Sequence, residues 1–321
     1  MKFVTDLFIP TNYMDKLPDL RDKTFVWKQE FSSKTKLTSG QITYYAVRED
    51  ILPPRGNLVL APGLASNTQT EPLMCALTYW ALTNRYNIYA LDTFWGDFKP
   101  EISEVLAANN TLPEFIDLME IGLDTITEMA VGRWTSVIGH SLGGTGVLEV
   151  FNRHVLQNKP IKYSAAILFA PFVVRDWNAT TKKFIKKNQY PQLSEEDFAN
   201  APIGLVSPHD LSEHKIARYI SLYPKVYDDI DKLKPRPDLI AKYNIPITFV
   251  AGGKDKKSPP EYIRGIYNDV LKYPNSKTRI RFVEFPNSKH SFMKQHTDWF
   301  SILRLLKAQR VDALKNKLRL R

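Results

Sequence analysis

The chain has 321 residues, of which 43% are hydrophobic and 24% are charged, and its formal net charge is +10. This composition is that of a globular protein and excludes disordered and collagen-like chains, while the length is sufficient for one large α/β domain. A single cysteine, Cys75, excludes an internal disulfide and a zinc site built from several cysteines.

The N-terminal segment contains no apolar run as long as a signal peptide needs, because Asp6, Pro10 and Asn12 interrupt it. No later run reaches the roughly 18 apolar residues of a membrane span. A lone cysteine also favours a reducing compartment. These features predict a cytoplasmic protein.

Two segments rich in β-branched and aromatic residues come next, at 23–31 and 40–49, and a Ser-Gly turn separates them. They predict an antiparallel pair of strands.

From residue 56 short apolar strands alternate with amphipathic helices. Strands are predicted over 56–63, 86–92, 134–140 and 163–171, and helices over 70–84, 112–131 and 144–157. Strict alternation indicates right-handed crossovers and a mostly parallel sheet.

The alternation stops after the sixth strand. Residues 172–243 contain six prolines after Phe172, many aromatic residues and several short helical candidates, and they predict an inserted helical cap. The aromatic side chains either line an apolar acyl pocket or form the core of the cap, so no substrate-binding residue is assigned. Strands at 245–253 and 278–286 and a helix at 259–273 complete a core domain made of residues 1–171 and 244–321.

The segment after Trp299 predicts a basic amphipathic helix, with its apolar residues on one stripe and most basic residues off it. The basic face is either a solvated surface of a helix packed on the core or a site of weak contact with an anionic membrane. Because the chain shows no interleaving of aromatic and basic residues of a known reader type, we expect no nucleic-acid partner.

The sequence Gly139-His140-Ser141-Leu142-Gly143 lies between a predicted strand and a predicted helix. Glycine inside a helix lowers its stability relative to alanine, so the glycines after Ser141 need a reason other than helix stability. The pattern G-x-S-x-G in this context predicts a nucleophile elbow, a strained turn that lifts the serine hydroxyl above the sheet. Small residues on each side of Ser141 let strand and helix approach closely.

A serine hydroxyl needs a base, and six histidines are available. His290 follows the last predicted strand, and loops at the carboxyl edge of a parallel sheet are where sites gather. His296, on the next helical stretch, is the alternative.

A carboxylate must orient the base. Asp255 follows a strand and two glycines that turn the chain, and we assign it this role. Asp176, after the preceding strand, is the alternative.

The negative charge on the tetrahedral intermediate needs hydrogen-bond donors. We expect one donor to be the backbone N–H of Leu142, at a helix N-terminus. We expect the second to be the N–H of Leu64, after Pro62 and Gly63.

These motifs resemble those of the α/β-hydrolase superfamily, from about Lys23 to the end of the chain. The segment GHSLGG is similar to the elbow of lipases and esterases, and GGKD and SKH are similar to the acid and histidine positions of the family. The segment PGLAS resembles the HGLLAS-type loop of acid lipases, and the cap resembles that of monoacylglycerol lipases. Pro62 departs from the family, because it replaces a histidine whose hydrogen bond steadies the oxyanion loop.

The resemblance implies an α/β-hydrolase fold, no metal and no organic cofactor. It also implies a hydrolase for a carboxylic ester of a hydrophobic acyl group, such as a lipase, lysophospholipase or esterase. A thioesterase or acyltransferase would use the same three residues, Ser141, Asp255 and His290. A non-catalytic binding protein on this fold is a further alternative, disfavoured because all three residues are present.

Overall fold

A computed structural model describes residues 13–22, 24–47, 53–63, 67–69, 71–93, 111–130, 132–172, 233–274, 279–292, 302, 304–308 and 310–311. Most of the predicted cap, residues 173–232, and the basic segment after residue 311 lie outside these ranges. The cap and the membrane contact of the basic segment therefore stay predictions.

Eight strands form one sheet within the described residues. They are β1 (Phe25–Ser32), β2 (Ser39–Ala46), β3 (Asn57–Ala61), β4 (Asn87–Thr93), β5 (Thr135–His140), β6 (Ala165–Phe169), β7 (Ile247–Gly252) and β8 (Ile280–Phe285). Their order in the sheet is β1-β2-β4-β3-β5-β6-β7-β8. The first two strands pair antiparallel, β2 also runs antiparallel to β4, and the remaining pairs are parallel. The predicted mostly parallel sheet with an antiparallel opening pair is confirmed.

The centre of the sheet is covered on both faces. Every residue of β3, β5, β6 and β7 is buried. Side chains alternate between the two faces, so Val59 and Val137 join one core, and Leu60 and Ile138 join the other. This explains why these strands are continuous apolar runs in the sequence.

The described helices lie on both faces of the sheet. They are α1 (Tyr13–Asp22), α2 (Pro72–Thr83), α3 (Thr111–Met129), α4 (Leu142–Leu156), α5 (Pro237–Ile240) and α6 (Pro260–Leu271), followed by helical residues 304–308. Buried residues of α3, α4, α5 and α6 share one core. Residues of α1 and α2 share the second core with Ile302, Leu305 and Leu306. Among these described helices, none has the length and apolar character needed to cross a bilayer.

Two helices have no counterpart in the sequence predictions. Helix α1 contains Pro18 and buries Leu17 beside α2, so its pattern carries too few apolar residues to be recognised. Helix α5 falls within the segment predicted as cap. Just after it, the hydroxyl of Tyr243 lies 3.1 Å from the carbonyl oxygen of Leu148 and 2.7 Å from the Oδ1 atom of Asn152, so this end of the segment packs on α4.

Candidate active site

Ser141 forms the turn between β5 and α4, at the carboxyl edge of the sheet. Its backbone angles are φ 52° and ψ −124°, a conformation that few residues other than glycine adopt. Its N–H donates to the carbonyl oxygen of Phe169 on β6, at 2.8 Å. Strain of this kind concentrates at functional sites, where the surrounding structure holds it in place.

Two glycines make this turn possible by letting backbones approach closely. A Cβ atom on Gly139 would lie 2.6 Å from the Cα atom of Gly144. A Cβ atom on Gly143 would collide with the carbonyl oxygens of Ala61 and Pro62, in the connection that leaves β3. The start of α4 therefore sits directly against β5 and the end of β3, which places Ser141 beside the loop that contains Gly63.

Gly143→Ala is expected to lower the free energy of unfolding by about 1 to 3 kcal/mol, because the added methyl group overpacks this contact. Gly265→Ala is the matched control, since that glycine lies in α6 and a Cβ atom there would meet nothing within 4 Å. Alanine at 265 is expected to raise stability by up to about 1 kcal/mol through its better helix propensity. Urea unfolding of the two variants measures both effects. Equal stability of the two variants would contradict the close approach at Gly143.

The structure brings Ser141, His290 and Asp255 together in one chain of hydrogen bonds. The Oγ atom of Ser141 lies 2.9 Å from the Nε2 atom of His290. The Nδ1 atom of His290 lies 2.8 Å from the Oδ2 atom of Asp255. In this geometry the hydroxyl donates to Nε2 while Nδ1–H donates to the carboxylate.

The carboxylate of Asp255 is held in one position by the loop that carries it. Its second oxygen, Oδ1, accepts the backbone N–H groups of Lys257 at 2.8 Å and Ser258 at 3.0 Å. Burial by itself would raise the pKa of Asp255, but the hydrogen bond and charge of His290 and the two N–H groups lower it below its usual value. Asp255 is therefore ionised at neutral pH.

His290 is neutral at neutral pH. Burial lowers the pKa of His290 below its usual value, although Asp255 opposes that effect. The charges of His140 and Lys257 lower the pKa further. With its proton on Nδ1, the ring presents an unprotonated Nε2 to Ser141, as a general base requires.

The other predicted site residues divide between described and undescribed parts of the chain. Leu142 is the first residue of α4, and the first N–H groups of a helix have no partner within it. Its N–H is thus available next to Ser141. Leu64, Asp176 and His296 lie outside the described residues. Gly63, which precedes Leu64, is close enough that a Cβ atom on it would lie 3.1 Å from the Cβ atom of Ser141.

Sequence reasoning missed a second buried group beside this site. The Oε1 atom of Glu71 lies 2.5 Å from the Nδ1 atom of His140. The Nε2 atom of the same ring lies 2.8 Å from the carbonyl oxygen of His290. The second carboxylate oxygen, Oε2, accepts the N–H of Gly63 at 2.9 Å. The only sequence signal was an acidic residue before a helix, which is common at helix starts without any site.

One group in the described part of the chain has the residue types of a metal site. Ligand atoms of Glu120, Asp124 and His154 lie within 4.8 Å of one another. However, the Oε2 atom of Glu120 lies 2.9 Å from the guanidinium of Arg153 and 3.5 Å from the ammonium of Lys34. These positive charges oppose the binding of a cation, and we assign no metal to the group.

Comparison with known proteins identifies the fold. No family model and no curated protein sequence matches the chain. A Staphylococcus aureus protein of unknown function matches with 17% identity and a TM-score of 0.55, covering 88% of this chain and 99% of its own. A Pyrococcus furiosus esterase matches with 14% identity and a TM-score of 0.57, covering 91% and 93%. Brefeldin A esterase, described as a bacterial homologue of human hormone-sensitive lipase, matches with 11% identity and a TM-score of 0.56, covering 97% and 86%.

These likenesses and the strand order show that the chain has the α/β-hydrolase fold. The prediction of this fold is confirmed.

Proposed function

We propose that the protein is a serine hydrolase that cleaves a carboxylic ester of a hydrophobic acyl group through an acyl-enzyme. The observation that carries the proposal is the continuous hydrogen-bonded chain from the hydroxyl of Ser141 through His290 to the buried carboxylate of Asp255. A serine on a strained turn, a neutral base and an ionised orienting group are together the requirements of nucleophilic acyl transfer.

Acylation begins when the Oγ atom of Ser141 attacks the ester carbonyl carbon and its proton passes to the Nε2 atom of His290. The resulting imidazolium is stabilised by Asp255, which stays ionised throughout. His290 then gives the same proton to the oxygen of the leaving alcohol as the carbon–oxygen bond breaks. Deacylation repeats these steps with water as the nucleophile, which releases the acid and restores the Ser141 hydroxyl.

The negative charge that develops on the carbonyl oxygen needs hydrogen-bond donors fixed in advance. We assign one donor to the N–H of Leu142, because this group lies at the N-terminus of α4. The positive end of the helix dipole adds to the stabilisation of the negative charge. We assign the second donor to the N–H of Leu64. The position of Gly63 against Ser141 supports that assignment.

The acyl and leaving groups are tested with p-nitrophenyl esters and acyl-thioesters of increasing chain length. For the esters, kcat/KM is expected to rise roughly fourfold with each added methylene that the site buries, because each contributes about 0.8 kcal/mol. A flat profile would contradict a hydrophobic acyl site. Faster turnover of the thioesters, or transfer of the acyl group to an added alcohol, would support a thioesterase or an acyltransferase instead.

A further inference from the structure

The carboxylate of Glu71 and the ring of His140 connect two loops of the site. Glu71 stands immediately before α2, and its side chain reaches both the N–H of Gly63 in the loop after β3 and the ring of His140 at the end of β5. The ring in turn contacts the carbonyl oxygen of His290, in the loop after β8. Both Glu71 and His140 are buried.

The contacts of His140 determine its protonation. Its Nδ1 atom faces a carboxylate oxygen and its Nε2 atom faces a carbonyl oxygen, and both oxygens are acceptors. A neutral imidazole has one N–H, so one of its two nitrogens would face an acceptor without a hydrogen. Burial alone would lower the pKa of His140, but the charge and hydrogen bond of Glu71, together with the His290 carbonyl and Asp255, raise it above its usual value. The ring is therefore an imidazolium, which forms an ion pair with the Glu71 carboxylate through Nδ1 and donates from Nε2 to the carbonyl oxygen of His290.

We propose that Glu71 and His140 are positioning residues, a buried carboxylate and imidazolium that together fix the Gly63 loop and the His290 loop on either side of Ser141. Their catalytic consequence rests on the hydrolase function proposed above. The pair contacts the N–H of Gly63 and the carbonyl oxygen of His290, and it acts through the two loops that carry these groups.

The sequence of the Gly63 loop explains why an external group is needed. Pro62 has no N–H and no polar side chain, so it contributes no hydrogen-bond donor of its own to hold this loop. The Glu71 carboxylate supplies a bond to this loop from the start of α2. By accepting the N–H of Gly63, it also keeps that group turned away from the oxyanion and leaves the donor role to the next residue.

Two substitutions at Glu71 separate its geometry from its charge. Glu71→Gln keeps an oxygen for the N–H of Gly63 and places an amide N–H toward the Nδ1 atom of His140. The ring then becomes neutral but still donates from Nε2 to the carbonyl of His290. Glu71→Ala removes all of these contacts.

For Glu71→Gln we expect kcat within about tenfold of the wild type, since the loops keep their connections. For Glu71→Ala we expect kcat per folded molecule to fall by about a hundredfold or more, the effect of a displacement of about 1 Å at a reacting group. Circular dichroism measures the folded fraction of each variant, and kcat is calculated per folded molecule.

The pH profile gives a readout that a merely structural role would not move. Among the described residues, the titratable groups whose charges act on the pKa of His290 are Asp255, His140 and Lys257. In Glu71→Gln the negative charge of residue 71 and the positive charge of His140 are both lost. The His140 charge has the larger effect on His290, because it lowers the pKa of that ring and the two ring centroids are only 5.0 Å apart. The pKa of His290 should therefore rise, and the acidic limb of kcat/KM should shift to higher pH.

Glu114→Ala is the matched control. Glu114 is also buried, and its two carboxylate oxygens accept hydrogen bonds from Thr35 at 2.6 Å and Thr38 at 2.9 Å, near the β1–β2 turn. This variant is expected to lose stability while keeping kcat and the pH profile of the wild type. Loss of kcat in both alanine variants to the same extent would overturn the proposal.

Nitrogen-15 spectra of the histidine rings test the pair without any substrate. At pH 7 we expect both ring nitrogens of His140 to carry protons in the wild type, and only one in Glu71→Gln. A neutral His140 in the wild type would overturn the proposal, as would a Glu71→Gln variant as impaired in kcat as Glu71→Ala. If the wild type neither turns over esters nor reacts with a fluorophosphonate, the proposed function fails, while the spectra still decide whether the imidazolium exists.

Discussion

Ser141→Ala is expected to abolish both covalent labelling by a fluorophosphonate and turnover of esters. The variant keeps the turn but removes the oxygen that attacks the carbonyl carbon, and loss of the nucleophile in enzymes of this kind costs on the order of 10⁶ in kcat. Mass spectrometry of the labelled protein should place the phosphonate on Ser141 in the wild type, with no label in the variant. Residual hydrolysis should come only from binding and oxyanion stabilisation.

Ser164→Ala is the control for this experiment. Ser164 precedes β6, at the opposite edge of the sheet, and its hydroxyl oxygen accepts the N–H of Thr135 at 3.2 Å. This variant should be labelled at the wild-type rate. Labelling of another serine, with ester turnover intact in Ser141→Ala, would remove the assignment of the nucleophile and the proposed mechanism with it.

His290→Ala is expected to lower kcat by several orders of magnitude, and Asp255→Asn by roughly 10⁴. The asparagine amide would donate to Nδ1 of His290 and thereby move the ring proton to Nε2, where it blocks proton transfer from Ser141. Because the three residues act as one unit, Ser141→Ala combined with Asp255→Asn should be scarcely worse than Ser141→Ala alone. Steady-state kinetics on a p-nitrophenyl ester measure all of these effects.

The alternative residues serve as the comparison. Asp176→Asn and His296→Ala are expected to leave kcat nearly unchanged, because the contacts of Ser141 and Asp255 are already made by His290. A large loss of kcat in Asp176→Asn, together with a small loss in Asp255→Asn, would assign the orienting role to Asp176, in the segment after β6. Such a result would also require His290 to turn away from the carboxylate that it now contacts.

The sequence predicts the sheet and the Ser141 turn because both follow from local patterns. Apolar runs of strand length, separated by helices of period 3.6, are sufficient to indicate a mostly parallel sheet. The glycines at 139 and 143 mark the close approach of two backbones, which no other residue allows. Asp255 and His290 could be selected because the carboxyl ends of parallel strands meet at one edge of a sheet.

The Glu71 and His140 contact could not be predicted in this way. All of α2, β4 and α3 and most of β5 lie between the two residues along the chain, and their contact depends on side-chain directions that no periodicity encodes. Burial of a glutamate at a helix start is also contrary to its usual exposure. Helix α1 was missed for a different reason, because its stability comes from packing beside α2 and its own pattern is weak.

The distances along the chain between the contacting residues determine when the site can form. The bond between Ser141 and His290 spans 149 positions, and the bond from His140 to the carbonyl of His290 spans 150. During synthesis the serine turn can fold against β3 long before its base has been translated. Contacts of such separation close slowly, because much chain entropy is lost before they form. The rate at which a fluorophosphonate labels Ser141 during refolding should therefore report the late step in which the loop after β8 brings His290 to Ser141.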